Sequence, residues 1–176
     1  ITGSDDLTST AVILADEKLL MPVLGSLPAS VSDVNVTMGH PFRFTPLYSF
    51  LKQLMSLIRS ARISSGKLSF RSDDVLALLR HQYFRLLAGT DGDAVVRDII
   101  KGNMIRVNAP VLNERFRLDY LFRVPERGSE IPEHLALVME KLEAATFAAE
   151  EEGLKLSTDR EYLRIAMSST LRLANL

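Results

Sequence analysis

Two short apolar runs, separated by a segment with helical spacing, mark the first part of the chain. The first run, 10–14, is almost entirely apolar and does not alternate, which is typical of a strand covered on both faces. A helix is predicted to start at Asp16 and to end near Gly25. A second strand is predicted over 34–39. This order of elements indicates a piece of an α/β domain over residues 1–44.

After residue 44 the apolar residues recur at helical spacing. Thr45 is a favourable N-cap, with Pro46 at the first helical position, and a wide apolar stripe follows. The segment 64–66 (Ser-Ser-Gly) is predicted to break this helix. Further elements are predicted as a short extended piece at 104–107 and as helices at 72–88, 93–102, 113–122, 132–153 and from 158 onwards.

The pattern therefore predicts a mixed α/β fold that is predominantly α. A small partial α/β segment over residues 1–44 precedes a helical domain over residues 45–176. Two strands do not make a stable sheet on their own. We therefore expect the first segment to be covered by helices of the same chain, paired with another copy or rearranged.

Composition favours a globular protein without a membrane span. Of the 176 residues, 47% are hydrophobic, yet no run reaches the roughly 18 uncharged apolar residues of a transmembrane helix. No signal peptide is recognisable at the N-terminus. We therefore expect a soluble, cytoplasmic protein. The absence of cysteine excludes disulfides, thiolate metal sites and a cysteine nucleophile.

The sequence contains no recognisable catalytic or metal-binding motif. It lacks a glycine-rich phosphate loop, a histidine pair at metal spacing and a serine nucleophile motif. We predict no catalytic residue, no metal site and no cofactor within these residues. The chain starts at Ile1 without a methionine and ends in an amphipathic segment, so we expect it to be part of a longer protein.

Charged residues are unevenly distributed along the chain. Residues 41–85 contain eight Lys or Arg against two Asp, whereas 126–161 contain ten acidic residues against four basic ones. Such asymmetry is typical of a side that faces a polyanion and a side that faces solvent or a partner, although two solvated helix faces that pair with each other would also produce it. Phosphate contacts require only positioned cations. The candidate nucleic-acid-binding residues are Lys52, Arg59, Arg62, Lys67 and Arg71.

Three of these cations are predicted to share one side of a helix. Lys52, Arg59 and Arg62 are seven and three residues apart, opposite the apolar stripe. No exposed aromatic residues are interleaved with them, so base stacking has no evident platform. If Arg59 and Arg62 both contact phosphates, neutralising the pair should lower the salt slope of DNA binding by about two.

Several segments of the chain together resemble one protein family. They are AVILADE (11–17), LMPVL (20–24), LP (27–28), VNVTMGHP (34–41), TPLY (45–48) and DVLALLRH (74–81). This series resembles the inactivated superfamily I helicases that are similar to the AddB-type subunit of bacterial helicase-nuclease complexes. Many members end in a PD-(D/E)XK nuclease domain. The resemblance covers residues 10–87, and beyond Gly89 it is only a general similarity to a helical insertion.

The resemblance implies a noncatalytic role in DNA repair and recombination. In the family, the first strand begins the second RecA-like domain, and the helices form an insertion beside the DNA path. Active relatives place an arginine after that strand, where it contacts nucleotide phosphates, whereas this chain has Asp16 there. A carboxylate would repel phosphate. The resemblance thus implies a scaffold or DNA-guiding segment, whose partners are DNA, the rest of its own chain and a helicase-nuclease partner subunit.

The residues are also compatible with two other classes of function. One is a structural α-helical protein-interaction module without a DNA role. The other is a small α/β enzyme or nucleotide-binding domain that uses the loop after Gly39. Catalysis requires convergent polar groups in one pocket, and DNA guidance requires salt-dependent binding.

Overall fold

The computed structural model describes residues 11–28, 31, 34–36, 41–89, 92–151 and 157–174. The chain divides into two compact units, Ile1–Phe44 and Thr45–Leu176. In the first unit, a 3-10 turn at Glu17–Leu19 leads into α1 (Leu20–Ser26), and a second 3-10 turn spans Phe42–Phe44. Asp16 starts the first of these elements as predicted, because its Oδ1 accepts a hydrogen bond from the backbone N–H of Lys18 at 2.9 Å.

The two strands predicted in this unit are wrong for the residues that the structure describes. Residues 11–14 and 34–36 have no strand pairing, while positions 10 and 37–39 lie outside the described residues. Val12 is 58% and Ile13 is 94% exposed, so the first run is not covered on both faces. A strand exists only with a hydrogen-bonded neighbour, and an apolar run alone does not supply one.

The second unit contains seven α-helices, one 3-10 turn (Gly128–Glu130) and three strands among its described residues. The helices are α2 (Pro46–Ser60), α3 (Ser72–Leu79), α4 (Gln82–Ala88), α5 (Asp93–Lys101), α6 (Ala109–Phe116), α7 (Ile131–Glu151) and α8 (Ser157–Ala174). The strands are β1 (Arg62–Ser64), β2 (Lys67–Arg71) and β3 (Arg106–Asn108). Thr45 caps α2 as predicted, because its Oγ1 accepts from the N–H of Tyr48 at 3.2 Å.

The strands form one antiparallel sheet in the order β1-β2-β3. Ser65 and Gly66 join β1 to β2 with φ of 51° and 72°, as in a tight two-residue hairpin turn. The predicted helix break at 64–66 is therefore the tip of a hairpin, and the helix has already ended at Ser60. The extended piece predicted at 104–107 overlaps β3 at residues 106–107, whereas residues 104–105 precede the strand.

Two predicted helices differ from those observed. The segment 72–88 is divided into α3 and α4, because the His81 side chain accepts from the N–H of Tyr83 at 3.2 Å and starts a new helix. The helix predicted at 113–122 is α6, which starts at Ala109 and ends before Arg117, whose φ is 56°. The periodicity of the sequence does not show either boundary, since apolar residues continue across both.

The core of the second unit lies between the sheet and the helices. Four aromatic rings form its centre, with centroid distances of 4.9 Å for Phe84 to Phe116, 6.4 Å for Phe84 to Phe122 and 6.5 Å for Phe70 to Phe122. Fully buried aliphatic residues surround them, among them Leu47, Leu54, Leu57, Val75, Leu78, Leu112, Leu121, Val138 and Leu142. The predominantly α, mixed α/β fold is confirmed, with 66% helix and a small antiparallel sheet.

Candidate nucleic-acid interface

The register of the sheet separates an apolar face from a basic one. Side chains of successive residues in a strand point to opposite faces, and directly paired residues share a face. Phe70 pairs with Val107, and both are buried against the core. Ile63 pairs with Leu68 on the same side, although Ile63 lies beyond the core and is 74% exposed.

The opposite face of the sheet gathers four cations. Arg62 pairs with Ser69, Ser64 with Lys67 and Arg71 with Arg106, which places all of these residues on one side. Arg62, Lys67 and Arg71 are exposed, and Arg106 is partly buried. We call this surface the basic sheet face and define it by Arg62, Lys67, Arg71 and Arg106.

Arg106 is fixed in position by three hydrogen bonds. Its Nε donates to Ser69 Oγ at 3.0 Å, and its Nη2 donates to the backbone carbonyls of Ser69 and Ser60 at 2.7 Å each. Ser60 is the last residue of α2, where unpaired carbonyls favour a nearby cation. The guanidinium therefore extends from β3 across β2 to the end of α2 and supplies a positioned positive charge.

Arg71 forms an ion pair at the edge of the same face. Its Nη2 lies 3.2 Å from Oδ2 of Asp73, and the two side chains are 61% and 79% exposed. Exposed pairs of this kind contribute only about 0–1 kcal/mol, because water and salt screen them. A phosphate can therefore replace Asp73 as the partner of Arg71 at little cost.

The five cations predicted from the sequence fall on two elements. Lys52 and Arg59 are exposed on α2, whereas Arg62, Lys67 and Arg71 lie on the hairpin. The prediction that Arg62 continues the side of the helix formed by Lys52 and Arg59 is wrong. Ala61 is extended, with ψ of 137°, so the helical spacing does not reach Arg62.

The sequence-based prediction also missed Arg106 as a member of this surface. Polar and apolar residues alternate from Arg62 to Ser64 and from Lys67 to Arg71 around a Ser-Gly pair, which is a hairpin signal. Applying that rule would have placed Arg62, Lys67 and Arg71 on one face. The inclusion of Arg106 depends on the pairing of β2 with a strand that is distant in sequence.

A Ser-His pair outside the sheet has the wrong polarity for a nucleophile. Ser49 Oγ lies 2.8 Å from Nε2 of His81, but Nδ1 of His81 accepts from the N–H of Tyr83. Nε2 therefore carries the proton and donates to Ser49, whose own hydroxyl donates to the Pro46 carbonyl at 2.9 Å. A general base needs a free lone pair toward the serine, so this pair connects α2 to α4 structurally.

The cavity described in the second unit is less suited to phosphate. A half-open space of about 210 Å³ is lined by Arg123, Pro125, Glu130, Glu133, His134 and Leu137. Burial, together with the charge of Arg123, lowers the pKa of His134, so its imidazole is neutral at pH 7. One arginine beside two glutamates gives no net attraction for an anion.

Comparisons with known proteins add no assignment. No protein-family model, no curated protein and no solved structure matches the chain. Within the described residues, no three His, Cys, Asp or Glu side chains come close enough together to hold a metal ion. None of the helices described is both long and apolar enough to cross a membrane.

Proposed function

We propose that the chain binds DNA phosphates through the basic sheet face and acts as a noncatalytic, DNA-guiding segment of a bacterial helicase-nuclease in DNA repair and recombination. One observation supports this proposal most directly. Three of the five cations selected from the sequence, Arg62, Lys67 and Arg71, share one exposed face with Arg106. Helical spacing does not explain that grouping, because the sheet brings these residues together.

The chemistry of this face suits a phosphate backbone. Guanidinium groups present a rigid fork of donors that matches phosphate oxygens, and lysine adds a mobile point charge. The two-residue turn and the pairing of β1 with β2 hold Arg62 and Lys67 in a fixed register. Rigid strands position cations with less loss of conformational entropy on binding than a flexible loop would.

The family resemblance supports the same proposal at a larger scale. Helicase-like proteins of this kind carry a helical insertion beside the DNA path. In this proposal the helical domain corresponds to that insertion, and the hairpin lies between its α2 and α3. In this proposal the further partners are the rest of the parent chain and a helicase-nuclease partner subunit, in the bacterial cytoplasm. Asp16 accepts from a backbone N–H at the start of a helical turn, so its side chain has a capping role.

Binding of fluorescently labelled forked DNA, measured by anisotropy, tests the proposal. The variant Arg62→Gln/Lys67→Gln should bind at least about tenfold more weakly at 0.1 M salt, because two phosphate contacts are lost. The matched control is Arg97→Gln/Lys101→Gln, which removes an exposed arginine and an exposed lysine from α5 and should bind like the unmodified chain. Equal weakening in both variants would show that only overall charge matters and would contradict the proposal.

A second candidate function is a protein-interaction module without a DNA role. Ile100, Met104 and Ile105, at the end of α5 and before β3, are 55%, 44% and 83% exposed. Exposed apolar patches are typical of a surface that binds another protein, and these three residues lie within six positions of the chain. A chain that binds neither forked nor duplex DNA at low salt would favour this function over the first.

A further inference from the structure

We infer that the basic sheet face selects duplex DNA over single-stranded DNA, an inference that rests on the proposed function. Besides its four cations, the face contains Ser64, Ser69 and Asn108. None of the residues that the described sheet places on this side is aromatic. Surfaces that bind single strands independently of sequence rely on stacking bases against aromatic side chains, and this face has no such group to offer.

The spacing of the cations also suits a double helix. Lys67 and Arg71 lie at the two ends of β2, four residues apart, which is about 13 Å along a strand. The major groove of B-DNA is about 12 Å wide, so backbone positions at this separation allow the two cationic side chains to reach toward phosphates on its two sides. Arg62 and Arg106 lie on the strands to either side of β2, about 5 Å away.

Polar side chains complete the fit to a duplex backbone. Ser64 and Asn108 are exposed on the same face and can donate to phosphate oxygens. Ser69 is buried beneath the Arg106 guanidinium and serves to hold it. The face thus offers positioned charges and short polar groups, which recognise the shape and charge of a backbone without reading bases.

Charge density sets the expected size of the preference. A duplex carries one phosphate per about 1.7 Å of axis and releases more counterions for each cation that binds than a single strand does. With three or four contacts, the salt slope for duplex exceeds that for the single strand by about 0.6 to 0.8. If the two affinities are equal at about 1 M salt, this difference corresponds to about fourfold to sixfold tighter binding of duplex at 0.1 M salt. Because no base can stack on an aromatic side chain of this face, stacking does not offset the weaker phosphate binding of the single strand.

Competition between two unlabelled DNAs with equal numbers of phosphates tests this inference. A duplex of about 12 base pairs and a non-self-complementary single strand of about 24 nucleotides compete for the chain against a labelled duplex. We expect the duplex to compete at least about fourfold more strongly. Equal or stronger competition by the single strand would overturn the inference while leaving the proposed function intact. Failure of both DNAs to bind would overturn the two together.

A gain-of-function variant tests the physical reason for the preference. Ser64→Tyr places one aromatic ring on the exposed face next to Lys67. Single-strand affinity should rise at least about fivefold, because one stacked base contributes that much or more. Duplex affinity should not rise, because the substitution removes the Ser64 hydroxyl that can donate to phosphate. Ile63→Tyr is the matched control, since it adds the same ring to the exposed part of the opposite face. An equal rise in both variants would overturn the assignment to the basic sheet face.

Discussion

At the scale of single residues, His81 shows how a polar side chain contributes to a boundary between helices. It is partly buried, and both ring nitrogens are in use, one accepting from Tyr83 N–H and one donating to Ser49. Burial lowers the pKa of His81 below its ordinary value. The neutral ring is therefore the form that fits the folded chain, because a protonated Nδ1 would face the N–H of Tyr83.

Acidification should consequently destabilise the fold. The folded chain binds fewer protons than the unfolded chain near the ordinary histidine pKa of about 6.5, so the stabilisation is complete above that pH and is lost as pH falls. His81→Asn keeps an oxygen that accepts from Tyr83 N–H but does not titrate. Urea unfolding at pH 7 and pH 5 should show a smaller loss of unfolding free energy in this variant. The same loss in both chains would contradict the assigned role of His81.

The aromatic centre of the core gives a second prediction at this scale. Phe84 is fully buried and meets Phe116 edge-on, whereas Phe147 on α7 is 50% exposed. Phe84→Ala should lower the unfolding free energy by about 3–5 kcal/mol, because it removes buried surface and leaves a cavity. Phe147→Ala is the matched control and should cost less than about 1 kcal/mol. Chemical denaturation of both variants measures this contrast, and similar costs would argue against the described core.

At the scale of elements, the hairpin is the feature on which the candidate site depends. Its turn needs a positive φ at two consecutive residues, Ser65 and Gly66, and glycine meets this requirement without strain. The turn fixes which residues of β1 and β2 are opposite each other. A register shift of one residue would move Arg62 and Lys67 to the other face.

Substitution of Gly66 should therefore destabilise the hairpin. A Cβ at this position meets no atom within 4 Å, so any cost of Gly66→Ala comes from its φ of 72° and not from a clash. We expect a loss of about 1 kcal/mol in unfolding free energy. Gly128→Ala also meets no neighbouring atom, and its φ is not in the left-handed range. Thermal unfolding should show no loss for Gly128→Ala, and an equal loss in both would refute the turn conformation.

Elements with strong local signals could be predicted from the sequence, and those that depend on distant contacts could not. The start of α2 follows from Thr45 and Pro46, and its apolar stripe packs in the core. The strands predicted at 10–14 and 34–39 rest on apolar content alone, without a pairing partner in the sequence. β3 contains only three residues, and its place beside β2 is set by tertiary contacts.

At the scale of the whole molecule, charges of one sign are concentrated on particular elements, although the net charge is small. The formal net charge is only -1, yet the basic sheet face concentrates cations while α7 carries glutamates. On the acidic side, Glu143 of α7 accepts from Arg164 of α8 at 2.9 Å. A nearly neutral protein can therefore bind a polyanion through one surface, because exposed charges farther than about 10 Å away are screened at 0.1 M salt.

Charge counting along the sequence predicts a basic segment but not which of its residues share a face. The excess of basic residues between 41 and 85 includes the hairpin, so it indicates Arg62, Lys67 and Arg71 as candidates. Their common face follows from strand pairing. Arg62 lies beside Ser69 of β2 and not beside Lys52 and Arg59, the neighbours that helical spacing predicts. A correct prediction of the hairpin would have corrected this assignment.

The salt dependence of DNA binding tests the central claim most directly. The logarithm of the affinity for a labelled duplex is measured against the logarithm of salt concentration for the unmodified chain and for Arg62→Gln/Lys67→Gln. If both residues contact phosphates, the slope should decrease in magnitude by about 1.8, since each contact contributes about 0.9. The control Arg97→Gln/Lys101→Gln should keep the original slope. An unchanged slope in the hairpin variant would contradict phosphate binding by the basic sheet face.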